Sequence, residues 1–179
     1  FNSASNPGFG TPVGDANGSP TGGALANPTV ALSAGTIAGQ TGTLIIDNTS
    51  VVMTGGTNNV YAGNGGDGVI ILRNGALLRN VTATGGARFG TFLGNGQISV
   101  ESGSVVDTRL IELGRGASVS STTVTGTGSR IVGTQLVLGR AISNEFVTAS
   151  SVTTLTIANG GTVRVENRNP TNTFGGVVF

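Results

Sequence analysis

The chain has 179 residues, of which 32 are glycine and only 9% are charged, and its formal net charge is +1. This charge balance gives no electrostatic basis for binding nucleic acid or anionic membranes. Cysteine, histidine, lysine and tryptophan are absent, which removes disulfides, thiolate metal sites and most nucleophile–base pairs. Because β-branched residues and turn formers dominate, and the mean hydropathy is +0.20, we predict an ordered all-β chain.

Residues 1–28 contain four of the five prolines, and their apolar residues are isolated. Proline cannot donate a ladder hydrogen bond and is confined to the edges of sheets. We therefore predict an irregular Gly/Pro-rich arm or cap over residues 1–28.

From Val30 onward, short runs alternate apolar and polar residues between glycine, asparagine and serine. Such alternation is typical of strands with one buried face. The pattern predicts strands at 43–47, 50–54, 68–73, 76–81, 97–101, 104–108, 109–113, 119–125, 129–132, 135–138, 152–158, 162–166 and 176–179.

The segment 155–165 shows the unit that recurs: two alternating runs joined by an Asn-Gly-Gly turn that ends at Gly161. Related units surround Gly75, Gly103 and Gly116, at uneven spacing. Such units are typical of a β-solenoid, whose coils stack while its loops vary in length. We therefore predict a right-handed parallel β-helix (β-solenoid) domain over 29–168, with about 20 residues per coil, and a C-terminal tail over 169–179. The alternative is a β-sandwich, although only 4% of residues are aromatic.

Two phrases resemble the passenger domains of bacterial autotransporters. Thr-Val-Thr-Gly-Thr-Gly-Ser at 123–129 is similar to their TVTGxGS phrase, and Leu-Thr-Ile-Ala-Asn-Gly-Gly-Thr-Val at 155–163 to their LxIxxGGxV rungs. The resemblance covers about residues 68–166. It implies a secreted or surface-displayed β-helix of the adhesin type that sometimes self-associates.

One segment, 62–70, follows the calcium-binding nonapeptide GGxGxDxUx except for Ala62 in the first position. It makes Asp67 a weak candidate metal ligand and a calcium-stabilised β-roll an alternative function. Calcium requires six to eight oxygen ligands, and such rolls share the ion between consecutive copies. Because no second copy follows, we interpret Asp67 as a turn residue and predict no cofactor or metal.

The eight acidic residues offer few catalytic pairs. Asp107 and Glu112 flank Arg109 and could form a charged cluster on one face, which would suit polysaccharide cleavage by two carboxylates. Isolated surface charges more often form solvated ion pairs. We therefore predict no catalytic site and no enzyme, with a carbohydrate-active lyase or hydrolase as the alternative.

Three arginines, Arg73, Arg115 and Arg164, lie close to the turn glycines of their units. In a stacked fold they could form a column. Threonine-rich segments would place hydroxyl groups on an outer face at 122, 123, 125 and 127 and at 153, 154 and 156. N-glycosylation sequons begin at Asn17, Asn48 and Asn80.

Together these patterns predict an extracellular or bacterial cell-surface structural module, adhesive or self-associating into fibres. The longest aliphatic run, Val69 to Leu72, is far shorter than the ~20 residues of a membrane span, so the chain is not expected to be membrane-embedded. The expected partners are like subunits, through end-to-end or edge strand pairing, or host and matrix glycans and proteins.

Overall fold

The computed structural model describes residues 25–26, 32–35, 38–53, 59–80, 88–116, 119–140, 151–166 and 176–178, the first and last of these ranges by backbone alone. All regular elements in these ranges are β-strands. A helix long and apolar enough to cross a membrane does not occur in this part of the chain.

The strands form three parallel sheets, and every third strand along the chain lies in the same sheet. Sheet 1 contains β1 (Leu25–Ala26), β4 (Ser50–Val52), β7 (Leu77–Arg79), β10 (Val105–Asp107), β13 (Arg130–Gly133) and β16 (Thr162–Val165). Sheet 2 contains β2 (Leu32–Ala34), β5 (Asn59–Asn64), β8 (Arg88–Phe92), β11 (Leu110–Arg115), β14 (Gln135–Leu138) and β17 (Gly176–Val178). Sheet 3 contains β3 (Thr41–Asp47), β6 (Asp67–Arg73), β9 (Gly96–Glu101), β12 (Val119–Thr125) and β15 (Val152–Ala158).

The core lies between the sheets and is built from rows of aliphatic side chains. In sheet 3, Ile46, Leu72, Val100 and Val124 occupy equivalent positions in successive coils, and all are fully buried. The residues between them face outward, as the period of two requires. Burying each such side chain contributes about 1.5–3 kcal/mol, so the stacked rows are the main stabilising element of the fold.

This architecture confirms the predicted parallel β-solenoid. The sandwich alternative is wrong, because a sandwich pairs its strands antiparallel and every ladder between these strands is parallel. The coils are longer than predicted. Phe89 pairs with Ile111, 22 positions later, whereas Thr122 pairs with Leu155, 33 positions later.

The predicted turn at 155–165 is a corner between sheets 3 and 1. Asn159 has φ 51° and Gly160 has φ 81°, and the amide of Gly161 donates to the carbonyl oxygen of Ala158. The turns at Gly75 and Gly103 are the same corner in earlier coils. Gly116 is different, because it follows β11 and precedes β12, at the corner between sheets 2 and 3.

Parts of the predicted arm and tail join the sheets. The strand Leu25–Ala26 pairs with β4, and Gly176–Val178 pairs with β14. Residues 1–24 of the arm and 169–175 of the tail lie outside the described residues.

The corner at Gly75 donates hydrogen bonds to Asp47, a carboxylate of the preceding coil whose pKa is lowered. Hydrogen bonds from the Asn74 amide (Nδ2 to Oδ1, 2.7 Å) and from Arg73 (Nε to Oδ2, 2.8 Å) hold the pKa of Asp47 below its ordinary value of 3.8. A lowered pKa stabilises the fold above the ordinary value, and the stabilisation is lost as the pH falls through the folded-state pKa. We expect Asn74→Gly, which retains the turn conformation, to reduce the loss of stability between pH 7 and pH 3 in urea unfolding.

Asn159→Gly is the matched control for this prediction. Asn159 has the same left-handed conformation, but its amide donates to the hydroxyl of Thr125 (3.1 Å), which does not titrate in this range. The control should lower stability equally at both pH values. An unchanged pH dependence in Asn74→Gly would contradict the role assigned to Asn74.

Candidate functional site

A buried carboxylate lies on the outer side of sheet 2, where a polar residue is ordinarily exposed. Glu112 lies between the inward-facing Ile111 and Leu113, and its side chain is 0% exposed. Three guanidinium groups surround it. Arg140 Nη1 lies 3.1 Å from Oε1, and Arg88 and Arg115 approach Oε2 with Nη1 at 3.4 and 3.6 Å. We call Glu112 and these three arginines the Glu112 cluster.

The cluster joins three consecutive coils. Arg88 begins β8, Glu112 lies in β11, and Arg140 follows β14. The position beside Glu112 in the preceding coil is Gly90, where a Cβ atom would overlap the carbonyl oxygen of Glu112. The backbone of β8 therefore passes close to the backbone of Glu112.

A β-bulge places Arg115 on this outer face. Glu112 pairs with Gly90 and Arg115 with Phe92, so β11 has three steps where β8 has two. The extra residue is accommodated at Gly114, which has φ 75° and whose amide donates to the Thr91 hydroxyl. With regular alternation Arg115 would face the core. Bulges commonly redirect a side chain in this way.

Aromatic rings border the cluster. The Phe92 ring stacks on Tyr61 with 5.0 Å between centroids, and the Arg115 guanidinium lies 4.8 Å above the Phe92 ring. Burial, and secondarily the charge of Glu112, raise the pKa of the Tyr61 hydroxyl, while Arg88 and Arg115 lower it in part. The hydroxyl lies near Arg88 but outside hydrogen-bonding geometry, and it is buried without a partner.

A second candidate surface is the last coil. Sheet 3 ends on β15 and its inward-facing residues are uncovered: Ile157 is 50% exposed, and Leu155 is half-buried. In the adjacent strand β16, Val163 and Val165 are also half-buried. The equivalent positions in the preceding coil, Val124 among them, are fully covered. We call β15 and β16 the open end.

No family model, curated protein or solved structure matches this chain. The comparisons therefore do not bear on the autotransporter resemblance, which stays a prediction.

Asp67, the weak metal candidate, begins β6 at the corner between sheets 2 and 3. Its Oδ1 accepts a hydrogen bond from Asn95 Nδ2 at 3.0 Å, and the Asn95 side-chain oxygen accepts one from the backbone amide of Val119 at 3.2 Å. These bonds link three coils beside a shallow groove of about 450 Å³. Among the described residues, no three acidic side chains come together as a cation site would require.

The hypothesised cluster of Asp107, Arg109 and Glu112 is wrong. The chain turns a corner between β10 and β11, so Asp107 lies in sheet 1, where it pairs with Arg79 at 3.4 Å, and Glu112 lies in sheet 2. The backbone carbonyl of Arg109 accepts hydrogen bonds from Thr134. Proximity in sequence was misleading because the residues lie on either side of a corner.

The hypothesised column of Arg73, Arg115 and Arg164 is also wrong, since these residues belong to sheets 3, 2 and 1 respectively. Arg73 pairs with Asp47 at 2.8 Å, and Arg164 with Glu166 at 2.9 Å. Arginines do gather across coils, but they are Arg88, Arg115 and Arg140.

The threonine segments and sequons divide between buried and exposed positions. Thr122 faces the core and is 1% exposed. Its neighbour Thr123 faces outward and pairs with Thr156. Asn80 is fully buried and its amide donates to the carbonyl oxygen of Arg88, so the folded chain cannot accept a glycan there. Asn48 is exposed in a turn, and Asn17 lies outside the described residues.

Proposed function

We propose that this chain is a non-catalytic structural module that self-associates through its open end, with a second copy of the chain as the partner. The observation that carries the proposal is the exposure of Ile157 and the half-burial of Leu155 at inward positions of the last coil. Elsewhere in sheet 3 such positions are filled and covered by the next coil.

The edge strand itself supports pairing with a like strand. β15 reads Val-Thr-Thr-Leu-Thr-Ile-Ala and contains no charged residue and no proline. Protective charges, prolines and bulges are the usual means by which edge strands avoid pairing with other chains. A strand without them, and with β-branched residues at most positions, is suited to extending the ladder into another polypeptide.

In β3, the first strand of sheet 3, the inward-facing side chains are covered, which favours a dimer over a fibre. In β3, the inward-facing Leu44 is 5% exposed and Ile46 is 0% exposed. Head-to-tail stacking into fibres would require open surfaces at both ends. A two-fold axis between two open ends instead uses the same surface in both copies. Two-fold dimers are the commonest homo-oligomers.

In such a dimer the two β15 strands run antiparallel. A two-fold axis at Leu155 places that residue opposite its counterpart and places Thr153 opposite Ile157 of the second copy. All of these side chains face inward in their own coil. In this register the inward-facing side chains of both β15 strands lie on the same side of the joined sheet, so the two cores become continuous.

The test is the oligomeric state of the full chain, measured by sedimentation velocity over a wide concentration range. We expect a monomer–dimer equilibrium, and we expect Ile157→Lys to weaken it by at least about tenfold, because each dimer would bury two ammonium groups without partners, which costs more than the ~1.4 kcal/mol that a tenfold change represents. Ile157→Thr retains a β-branched residue and should give a smaller change in the same direction.

Val119→Lys is the matched control, because Val119 is 60% exposed but lies on the outer face of β12, the strand next to the edge strand. It should leave the equilibrium unchanged. A chain that stays monomeric at all concentrations, or equal effects of both lysines, would refute the proposal. Fibres that persist in Ile157→Lys would show that a different surface mediates assembly.

The predicted setting of this module is the outside of a bacterial cell. Its support is the resemblance of 123–129 and 155–163 to autotransporter passengers. In that setting the long sides of the solenoid are available to glycans or matrix proteins while the open end is used for pairing.

A further inference from the structure

We propose that the Glu112 cluster is a binding site for an oxyanion, of the sulfate or carboxylate type, presented by an acidic partner. The proposal is independent of self-association, because the cluster lies on the outer side of sheet 2 and the open end is formed by sheets 3 and 1. It rests on the charge, the unused donors and the accessibility of the cluster.

The charges in the cluster do not balance. Arg88, Arg115 and Arg140 converge on the single carboxylate of Glu112, and among the described residues no other acidic group pairs with them. At Asp47, by contrast, one arginine, Arg73, pairs with the carboxylate. Over the described residues, three positive charges and one negative charge give the cluster a net charge of +2, which an external anion would neutralise.

The cluster also retains donors for which the described part of the chain provides no acceptor. Arg115 Nε is buried without an acceptor, and the Tyr61 hydroxyl, 4% exposed, has no partner. Burying unpaired donors of this kind is costly. An oxyanion beside Arg115 would accept such hydrogen bonds, and guanidinium groups bind carboxylates and tetrahedral oxyanions through paired N–H groups.

An anion can reach the cluster from the side of Arg140. Its side chain is 47% exposed, compared with 26% for Arg88 and 21% for Arg115. We infer that Arg140 makes the first contact and that Arg88 and Arg115 complete the site. Glu112 holds the three guanidinium groups together in the absence of the ligand and prevents their mutual repulsion.

Tyr61 provides the readout. It is the only tyrosine, and the chain has no tryptophan, so tyrosine emission reports on the ring that stacks beneath the cluster. We expect inorganic sulfate at millimolar concentration to change this emission in a saturable manner, at constant ionic strength maintained with chloride. Calorimetric titration of the same samples should give the same dissociation constant. Acetate in place of sulfate tests the carboxylate source, and saturable binding of either anion supports the proposal.

Arg140→Gln should weaken the binding by at least about tenfold, because it removes a charge-assisted hydrogen bond, which is worth more than the ~1.4 kcal/mol that a tenfold change represents. Arg140→Lys retains the charge but loses the paired N–H donors of the planar guanidinium group, so we expect an intermediate loss of affinity. Arg79→Gln is the matched control: Arg79 is 56% exposed and pairs with Asp107 in sheet 1, away from the Glu112 cluster. The exposure of Arg140 allows its variants to fold, which the circular dichroism spectrum checks.

The proposal is overturned if neither anion changes the tyrosine emission beyond the effect of chloride. It is overturned equally if Arg140→Gln and Arg79→Gln alter the binding to the same extent. Sulfate at high concentration stabilises most folded proteins by exclusion from their surfaces, so a general rise in melting temperature that is equal in all variants does not count as binding.

Discussion

Phe89→Ala is expected to lower the free energy of unfolding by about 3–5 kcal/mol, the range for removing a buried aromatic side chain and leaving a cavity. Phe89 is 0% exposed and is the largest of the fully buried side chains. It packs in the row of sheet 2 between Val60 and Ile111, its partners in the preceding and following coils. A stacked core cannot collapse around such a cavity without shifting the ladders on both sides. Urea unfolding followed by circular dichroism measures the loss.

Phe92→Ala is the control, because Phe92 lies in the same strand on the opposite face. It stacks on Tyr61 and is half-buried. Its removal should lower the free energy of unfolding by less than that of Phe89, because it loses the stacking, about 0.5–1.5 kcal/mol, and part of the burial of one ring, but leaves no enclosed cavity. A ratio near one between the two losses would mean that β8 does not present Phe89 to the core. A much larger loss at Phe89 confirms the register of sheet 2.

The fold was predictable where a strand-forming run ends directly at a turn former. β12, β14 and β15 have the predicted bounds, and they are followed by Gly126, Gly139 and Asn159 respectively. β5 and β8 were missed. Their sequences, Asn-Val-Tyr-Ala-Gly-Asn and Arg-Phe-Gly-Thr-Phe, contain internal glycines, and the bulge at Gly63 breaks the alternation in β5. Their strand conformation comes from the neighbouring coils, not from local preference.

The Glu112 cluster was not predictable for a related reason. The partners of Glu112 in the adjacent coils, Arg88 and Arg140, are 24 and 28 positions away. Locating them requires the length of each coil, and those lengths vary because the corner loops vary. The bulge that turns Arg115 outward also reverses the face that simple alternation assigns to it. The sequence showed an isolated glutamate in an aliphatic strand, which is a signal of an unusual environment but not of its partners.

Glu112→Ala is expected to lower the free energy of unfolding by about 2–4 kcal/mol. Removing one partner of a fully buried ion pair costs roughly 3–5 kcal/mol because the other charge is left without compensation. Here the three arginines are 21–47% exposed, so water screens part of their mutual repulsion. Glu112→Gln retains the shape and one acceptor oxygen, and it should lose less stability than Glu112→Ala. Equal stability of the alanine variant and the parent chain would contradict a role for Glu112 in joining the coils.

The pKa of Tyr61 distinguishes this electrostatic role from simple packing. Burial and the charge of Glu112 raise that pKa above 10.0, while Arg88 and Arg115 oppose the rise. Glu112→Gln is therefore expected to lower the Tyr61 pKa in the folded chain, because the arginines then act without the carboxylate. The absorbance of the single phenolate measures it directly. Asp107→Asn, which removes a carboxylate from sheet 1, should leave the pKa unchanged.

The same shift makes the stability of the fold depend on pH in the alkaline range. A tyrosine whose pKa is raised by folding contributes stability that is fully present below pH 10.0 and is lost as the pH rises toward the folded-state value. The parent chain should therefore lose stability above pH 10 more steeply than Tyr61→Phe, which has no proton to release. Glu112→Gln should fall between the two, since its smaller pKa shift leaves less stability to lose. A slope for Glu112→Gln equal to that of the parent chain would show that Glu112 acts on Tyr61 through packing and not through its charge.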